Sequence, residues 1–161
     1  MDALSPLGMV TDAPNEIEQK DYFVEKDGVK FAGTHLLLDL WGASNLTDPE
    51  LIDRALRDAA EAANATILHS HFHHFGPDGG VSGVLVLAES HISIHTWPEK
   101  GYAAMDFYTC GDHTDPWLAC EYAAKTLHAT SVLASEFKRG IEKSDGEFTH
   151  VLARNQGVLS A

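Results

Sequence analysis

The chain has 161 residues, 44% of them hydrophobic, which is enough for one compact domain with its own core and too few for two ordinary ones. Its 24 acidic residues against 11 basic give a formal charge of −13, which repels phosphate backbones and anionic lipid and sets nucleic acid and membrane surfaces aside as partners. Two cysteines, Cys110 and Cys120, cannot build a disulfide framework, and no basic-plus-apolar leader or run of 18 apolar residues is present, so a soluble, cytoplasmic protein is expected.

Residues 1–30 mix Pro6, Gly8, Pro14 and Gly28 with many charges and hold no sustained period. They predict a partly disordered N-terminal extension, with Tyr22, Phe23 and Val24 docking locally, ahead of a domain over residues 31–140. Between Gly33 and Gly42 the run His35-Leu36-Leu37-Leu38-Asp39-Leu40-Trp41 is short and apolar, as a buried strand is. Thr47-Asp48-Pro49-Glu50 then supplies a cap and an early proline. Ile52, Ala55, Leu56, Ala59, Ala60 and Ala63 recur at helical spacing, leaving Asp53, Arg54, Arg57, Asp58 and Glu61 to water. A second strand is read at residues 66–73, and Gly76-Pro77-Asp78-Gly79-Gly80 turns the chain into a third at residues 81–88 as a hairpin.

There the apolar run stops, and Glu89-Ser90-His91-Ile92-Ser93-Ile94-His95-Thr96-Trp97-Pro98-Glu99 brings acid, hydroxyl, imidazole and aromatic groups in close order. Period 2 from Ser90 puts Ile92, Ile94 and Thr96 on its face and His91, Ser93, His95 and Trp97 on the other, so Ser90 begins an element. After a turn at residues 98–101, residues 102–109 read as a strand ending at Cys110-Gly111. Thr114-Asp115-Pro116 repeats the helix start, Leu118, Tyr122 and Leu127 mark its apolar stripe, and a last strand follows at residues 132–137. Residues 141–161 read as a loose polar tail. Strand, Thr-Asp-Pro helix and closing strand thus occur twice, by duplication or by recurrence of a common unit. The economical arrangement is α+β: a two-layer sandwich with a largely antiparallel sheet and two helices on one face.

Ten histidines raise the question of a metal, with His69, His71 and His73 on one strand face and His74 and His35 within reach. No Cys, Asp or Glu stands at zinc-like spacing, and the pattern is that of polar strand residues, so no metal is expected. A hydrolase using Ser90 or Ser93 with His91 or His95 lacks the Gly-x-Ser-x-Gly turn that exposes such a hydroxyl. Cys110 reads either as a reactive thiol or as a small packed residue, and Cys120, in mid-helix, as packing. Phe75 and Trp97 sit beside turns, where a ring can face a cleft, and Glu99 alone reads as a solvated turn residue.

Taken in order, Phe72-His73-His74-Phe75, Gly80-Val81-Ser82-Gly83, Glu89-Ser90-His91, His95-Thr96-Trp97-Pro98-Glu99, Gly101-Tyr102-Ala103-Ala104 and Thr109-Cys110-Gly111 resemble the small prokaryotic S-adenosylmethionine decarboxylase proenzymes. The resemblance covers roughly residues 33–140, with one extra glycine at Gly79-Gly80. It implies a chain that cleaves itself between Glu89 and Ser90: the Ser90 hydroxyl attacks the Glu89 carbonyl, and elimination and hydrolysis leave a pyruvoyl cofactor derived from Ser90. Ser82 would hold the oxyoxazolidine intermediate and His95 would help remove the Cα proton. The mature enzyme would bind S-adenosylmethionine as a Schiff base, release carbon dioxide and take a proton from Cys110. Phe75 and Trp97 would meet the adenine or the sulfonium, and Glu99 the ribose hydroxyls. The product would serve as aminopropyl donor in spermidine biosynthesis, and processed protomers would pair as a homodimer with shared sites.

Two other readings stay beside this one. The same chemistry can serve arginine or ornithine, since the pocket alone selects the substrate. An uncleaved, non-enzymatic homologue, acting as partner subunit or metal-binding protein, would use the same fold.

Overall fold

The computed structural model describes residues 23–142. Most of the extension expected over residues 1–30, and residues 143–161 of the tail, lie outside the described residues. The described chain opens with a small antiparallel hairpin, β1 (Val24–Lys26) and β2 (Val29–Phe31). It continues through β3 (Gly33–Trp41), α1 (Pro49–Ala62), β4 (Ile67–His74), β5 (Val81–Leu87), β6 (Ser90–Trp97), β7 (Tyr102–Cys110), α2 (Pro116–Thr126) and β8 (Ser131–Arg139), with one short 3₁₀ turn at Pro98–Lys100.

Both Thr-Asp-Pro sequences start helices, and in both the aspartate is the cap. Asp48 accepts from the backbone N–H of Glu50 and Leu51 at 3.0 and 3.1 Å, and Asp115 from Trp117 and Leu118 at 3.0 and 3.4 Å. The following proline occupies the first turn, where its missing N–H removes nothing the helix needs. Ile52, Ala55, Leu56, Ala59 and Ala60 of α1 and Ala119, Cys120 and Ala123 of α2 are buried.

The main sheet has six strands in the order β4-β5-β6-β7-β3-β8, and every neighbouring pair is antiparallel. Direction therefore alternates across it, so β3 runs parallel to β4 and β7 to β8. Each strand-helix-strand arch steps over the strands between its ends, and that brings both helices to the same face. The result is the α+β two-layer sandwich.

Period 2 decides which residues meet the helices. Leu36, Leu38 and Leu40 of β3, Ile92, Ile94 and Thr96 of β6, and Ala103, Met105 and Phe107 of β7 are buried, together with Val81, Leu85 and Leu87 of β5. Fully burying a side chain such as Leu36, Ile92 or Phe107 contributes roughly 1.5–3 kcal/mol each. The alternate residues form an open face, on which Leu37, Trp41 and Val86 remain 39–49% exposed. The polar stripe of β6, namely His91, Ser93, His95 and Trp97, lies on this open face, in register with Tyr108, Asp106, Ala104 and Tyr102 of β7. No helix of the described residues is long and apolar enough to cross a membrane.

Candidate active site

The hairpin between β5 and β6 is closed by Ala88 and Glu89 alone, with Leu87 opposite Ser90. Glu89 is the anchor of this turn. Its side chain is 4% exposed, one oxygen accepts the Thr66 N–H at 2.9 Å, and the other lies 3.3 Å from His113 Nε2. Thr66 in turn accepts the Ala88 N–H at 2.9 Å, and Asn64 holds the His113 carbonyl at 3.0 Å. Burial alone pushes the Glu89 carboxyl up, but the Thr66 N–H and His113 outweigh it and hold the group below its ordinary value, as a carboxylate.

Ser90 carries a φ of 147°, a conformation that L residues avoid and that costs on the order of 1–3 kcal/mol. The strain has a chemical consequence. Tetrahedral geometry sets Cβ about 120° behind the carbonyl carbon around the N–Cα bond, so this φ turns the Ser90 Cβ to within roughly 30° of eclipsing the Glu89 carbonyl carbon. A five-membered ring through Oγ and that carbon needs such a small torsion, and the ordinary negative φ values do not provide it. The Glu89 carbonyl oxygen meanwhile accepts the Cys110 backbone N–H at 2.9 Å, and Ser90 Oγ lies 3.1 Å from His91 Nδ1.

Cys110 ends β7 beside this junction. Its half-buried thiol shares a cavity of about 290 Å³ with Glu89, Ser90 and Tyr108. Burial, assisted by the Glu89 charge, pushes the thiol up from its ordinary value, so it holds its proton at neutral pH.

The other residues singled out in the sequence gather at the far end of the same strands. Ser82 of β5 stands directly opposite His95 of β6, and both line a cavity of about 410 Å³ on the open face. The His95 ring lies 5.6 Å from Phe75 and 4.2 Å from Trp97. Trp97 stacks on Tyr102, and Tyr102 on Trp41, at 5.1 and 4.4 Å. Phe75 and Trp97 are 57% and 37% exposed, with Glu99 exposed in the turn that follows. Tyr102 donates to Asp39, and burial, followed by that carboxylate, pushes its hydroxyl up to about 12. Because His95 is five residues from Ser90 along one extended strand, the two lie about 17 Å apart. The candidate residues thus form two groups on one protomer: Glu89, Ser90 and Cys110 at one end, and Ser82, His95, Phe75, Trp97 and Glu99 at the other.

His69, His71 and His73 do share the open face, opposite Val86, Val84 and Ser82. His35 does not join them, because it sits on β3, four strands from β4 in the sheet, and His74 pairs with buried Val81 on the opposite face. Among the described residues no three His, Cys, Asp or Glu side chains converge on a point a metal could occupy. Sequence reasoning passed over the anchoring of Glu89 by Thr66 and His113. Thr66 opens the strand read at residues 66–73, but nothing local tied it to Glu89.

Comparison with known proteins places this architecture first at the level of fold. The structure is similar to the crystal structure of the adenosylmethionine decarboxylase from Aquifex aeolicus, with a TM-score of 0.66 and 38% identity over 73% of this chain and 98% of that one. The family model for S-adenosylmethionine decarboxylase matches residues 34–140. S-adenosylmethionine decarboxylase proenzymes of Clostridium tetani and Thermoanaerobacter sp. are 47% and 50% identical over 111 residues, which are 68% of this chain and 87% and 89% of theirs. The Pyrococcus furiosus proenzyme is 45% identical over 122 residues, 74% of this chain and 87% of its own. The chain belongs to the S-adenosylmethionine decarboxylase family.

Proposed function

We propose that this protein cuts its own chain between Glu89 and Ser90 and, once processed, decarboxylates S-adenosylmethionine. The observation that carries the reading is Ser90 at φ 147°, turned so that its hydroxyl can close on a carbonyl already polarised by the Cys110 N–H. The new N-terminus at Ser90 suits a pyruvoyl group, since the junction opens into a small cavity beside a protonated thiol. A pyruvoyl carbonyl supplies an electron sink for the electrons freed when carbon dioxide leaves. Cys110 then returns a proton to the substrate α-carbon. Phe75 and Trp97 offer faces to the adenine and the sulfonium, worth on the order of 1 kcal/mol each for a cation, and Glu99 takes the ribose hydroxyls. The net charge of −13 agrees with a cationic substrate.

The separation of about 17 Å along β6 supports a homodimer with shared sites. Two protomers facing each other across their open sheet faces, in opposite directions, bring the partner's Ser82 and the partner's His95 to Ser90, together with the partner's aromatic pair. The half-exposed Leu37, Trp41 and Val86 supply the apolar area for that contact. We take the working domain as residues 31–140. A reducing, cytoplasmic setting is supported by Cys110, which donates only as a thiol.

The test is the intact mass of the purified protein together with decarboxylation assays on S-adenosylmethionine, arginine and ornithine. Two fragments meeting at the Glu89–Ser90 bond, the C-terminal one blocked, and preference for S-adenosylmethionine are the expected result. A single chain of full mass overturns the reading, and preference for arginine or ornithine overturns the substrate.

A further inference from the structure

The acyl shift needs a base for the Ser90 hydroxyl, and within its own protomer His95 lies about 17 Å away along the strand, out of reach. We propose that His91, whose Nδ1 lies 3.1 Å from Ser90 Oγ, is the general base of the acyl shift. The inference rests on the self-processing reading and adds a catalytic residue to it.

The geometry supplies each part. With Nε2 carrying the ring proton, Nδ1 accepts the Ser90 hydroxyl. As Oγ bonds to the Glu89 carbonyl carbon, its proton passes to Nδ1, and the oxygen charge develops at the Cys110 N–H. When the Glu89 carbonyl carbon–Ser90 nitrogen bond breaks, the same proton goes to the departing amine, leaving an ester on Ser90. Nothing is oxidised or reduced, and the base is regenerated.

The surroundings keep His91 neutral and therefore able to accept. Its ring packs edge-on to His35 of β3 and Tyr108 of β7, at 6.4 and 5.9 Å between centroids. Burial pushes its pKa down, as do the His35 and Arg139 charges, and Asp106 opposes them without reversing the direction. Asp106 is itself engaged by His35 and by Ser93. From β5 only the uncharged Val86 stands opposite. Division of labour follows: His91 acts on the hydroxyl within its own chain, and the partner's His95 acts later, on the Cα proton.

The experiment follows cleavage of freshly synthesised full-length chain over time, between pH 5 and 8, with and without hydroxylamine, which cuts an ester but not a peptide bond. His91→Ala is expected to slow cleavage by roughly a hundredfold or more and to build no hydroxylamine-sensitive ester, with partial rescue by added imidazole. His95→Ala is expected to accumulate that ester instead. His91→Asn, which keeps an acceptor near the Nδ1 position without basicity, controls for folding: it should melt as the uncleaved Ser90→Ala chain does and still fail to cleave. In the wild type the rate should fall at acid pH as His91 becomes protonated. Cleavage of His91→Ala or of folded His91→Asn at the wild-type rate overturns the proposal, as does a hydroxylamine-sensitive ester in His91→Ala. Failure of the underlying reading has a separate signature, cleavage persisting in Ser90→Ala.

Discussion

The backbone N–H of Cys110 donates to the carbonyl oxygen of Glu89 at 2.9 Å, so the end of β7 grips the bond that the chain is proposed to break. One residue thereby holds two posts, its amide on the scissile carbonyl and its thiol in the cavity where the new N-terminus would lie. Neither depends on the other, which makes their contributions separable by side-chain substitution.

Ser90→Ala removes the hydroxyl without disturbing the hairpin, and the chain should remain whole. Ser93→Ala deletes only a donor to Asp106 at 2.9 Å and should cleave as the wild type does. A denaturing gel and intact mass distinguish them, and cleavage of Ser90→Ala would remove Ser90 from the chemistry.

Replacing Cys110 by serine keeps the amide on the Glu89 carbonyl and exchanges a thiol for a much weaker acid. Cleavage should largely survive while turnover falls by tenfold or more, about 1.4 kcal/mol in the barrier. Mass spectrometry of the C-terminal fragment after turnover should show conversion of its pyruvoyl group to alanine by misplaced protonation. Full turnover with an intact fragment in Cys110→Ala would return Cys110 to a packing role.

Glu89 makes the junction acid-sensitive. Its carboxyl is held below the ordinary value, so its stabilisation is fully present above the unfolded pKa of about 4.3 and is lost as pH falls through the lower folded value. In a Ser90→Ala background, where the chain stays whole, Glu89→Gln should be less stable at pH 7 by on the order of 1 kcal/mol. That difference should close below about pH 4. Urea unfolding at pH 7 and at pH 3 measures it, and a difference that does not change with pH would refute the ionic anchor.

Shared sites predict complementation. Ser90→Ala and His95→Ala chains, each inert alone, should on co-expression form mixed dimers in which the intact Ser90 of one chain meets the intact His95 of the other. With random pairing about half of the His95→Ala chains should then be cleaved. No cleavage in the mixture would place the whole site within one protomer.

Glu99→Gln should leave cleavage alone and weaken use of S-adenosylmethionine by roughly five- to a hundredfold, the 1–3 kcal/mol associated with a polar partner left unmatched. The ratio kcat/KM on S-adenosylmethionine reports it. Unchanged kinetics would release Glu99 from the ribose.

Much of this molecule was determined by neighbours in the chain. Alternation along residues 90–97 assigned Ile92, Ile94 and Thr96 to the core and His91, Ser93, His95 and Trp97 to the open face, because a strand's side-chain period is a property of its backbone. The two Asp-Pro pairs determined where the helices begin, because the cap and the proline act within one turn. The separation of Ser90 from His95 along one strand follows from their spacing, and tertiary structure decided which residues of other strands meet each of them. Ser82 and His95 become cross-strand partners through the β5–β6 register, while Ser90 and Cys110 meet at the opposite end through β6–β7 pairing; the turns read from the sequence set these strands side by side, and the register of the sheet decides which residues face one another. The φ of Ser90, the Cys110 amide on the Glu89 carbonyl and the burial of the Glu89 carboxylate against Thr66 and His113 likewise arise only in the assembled sheet. A strained backbone and a buried charge each carry a free-energy cost, and only contacts distant in sequence supply enough to hold them.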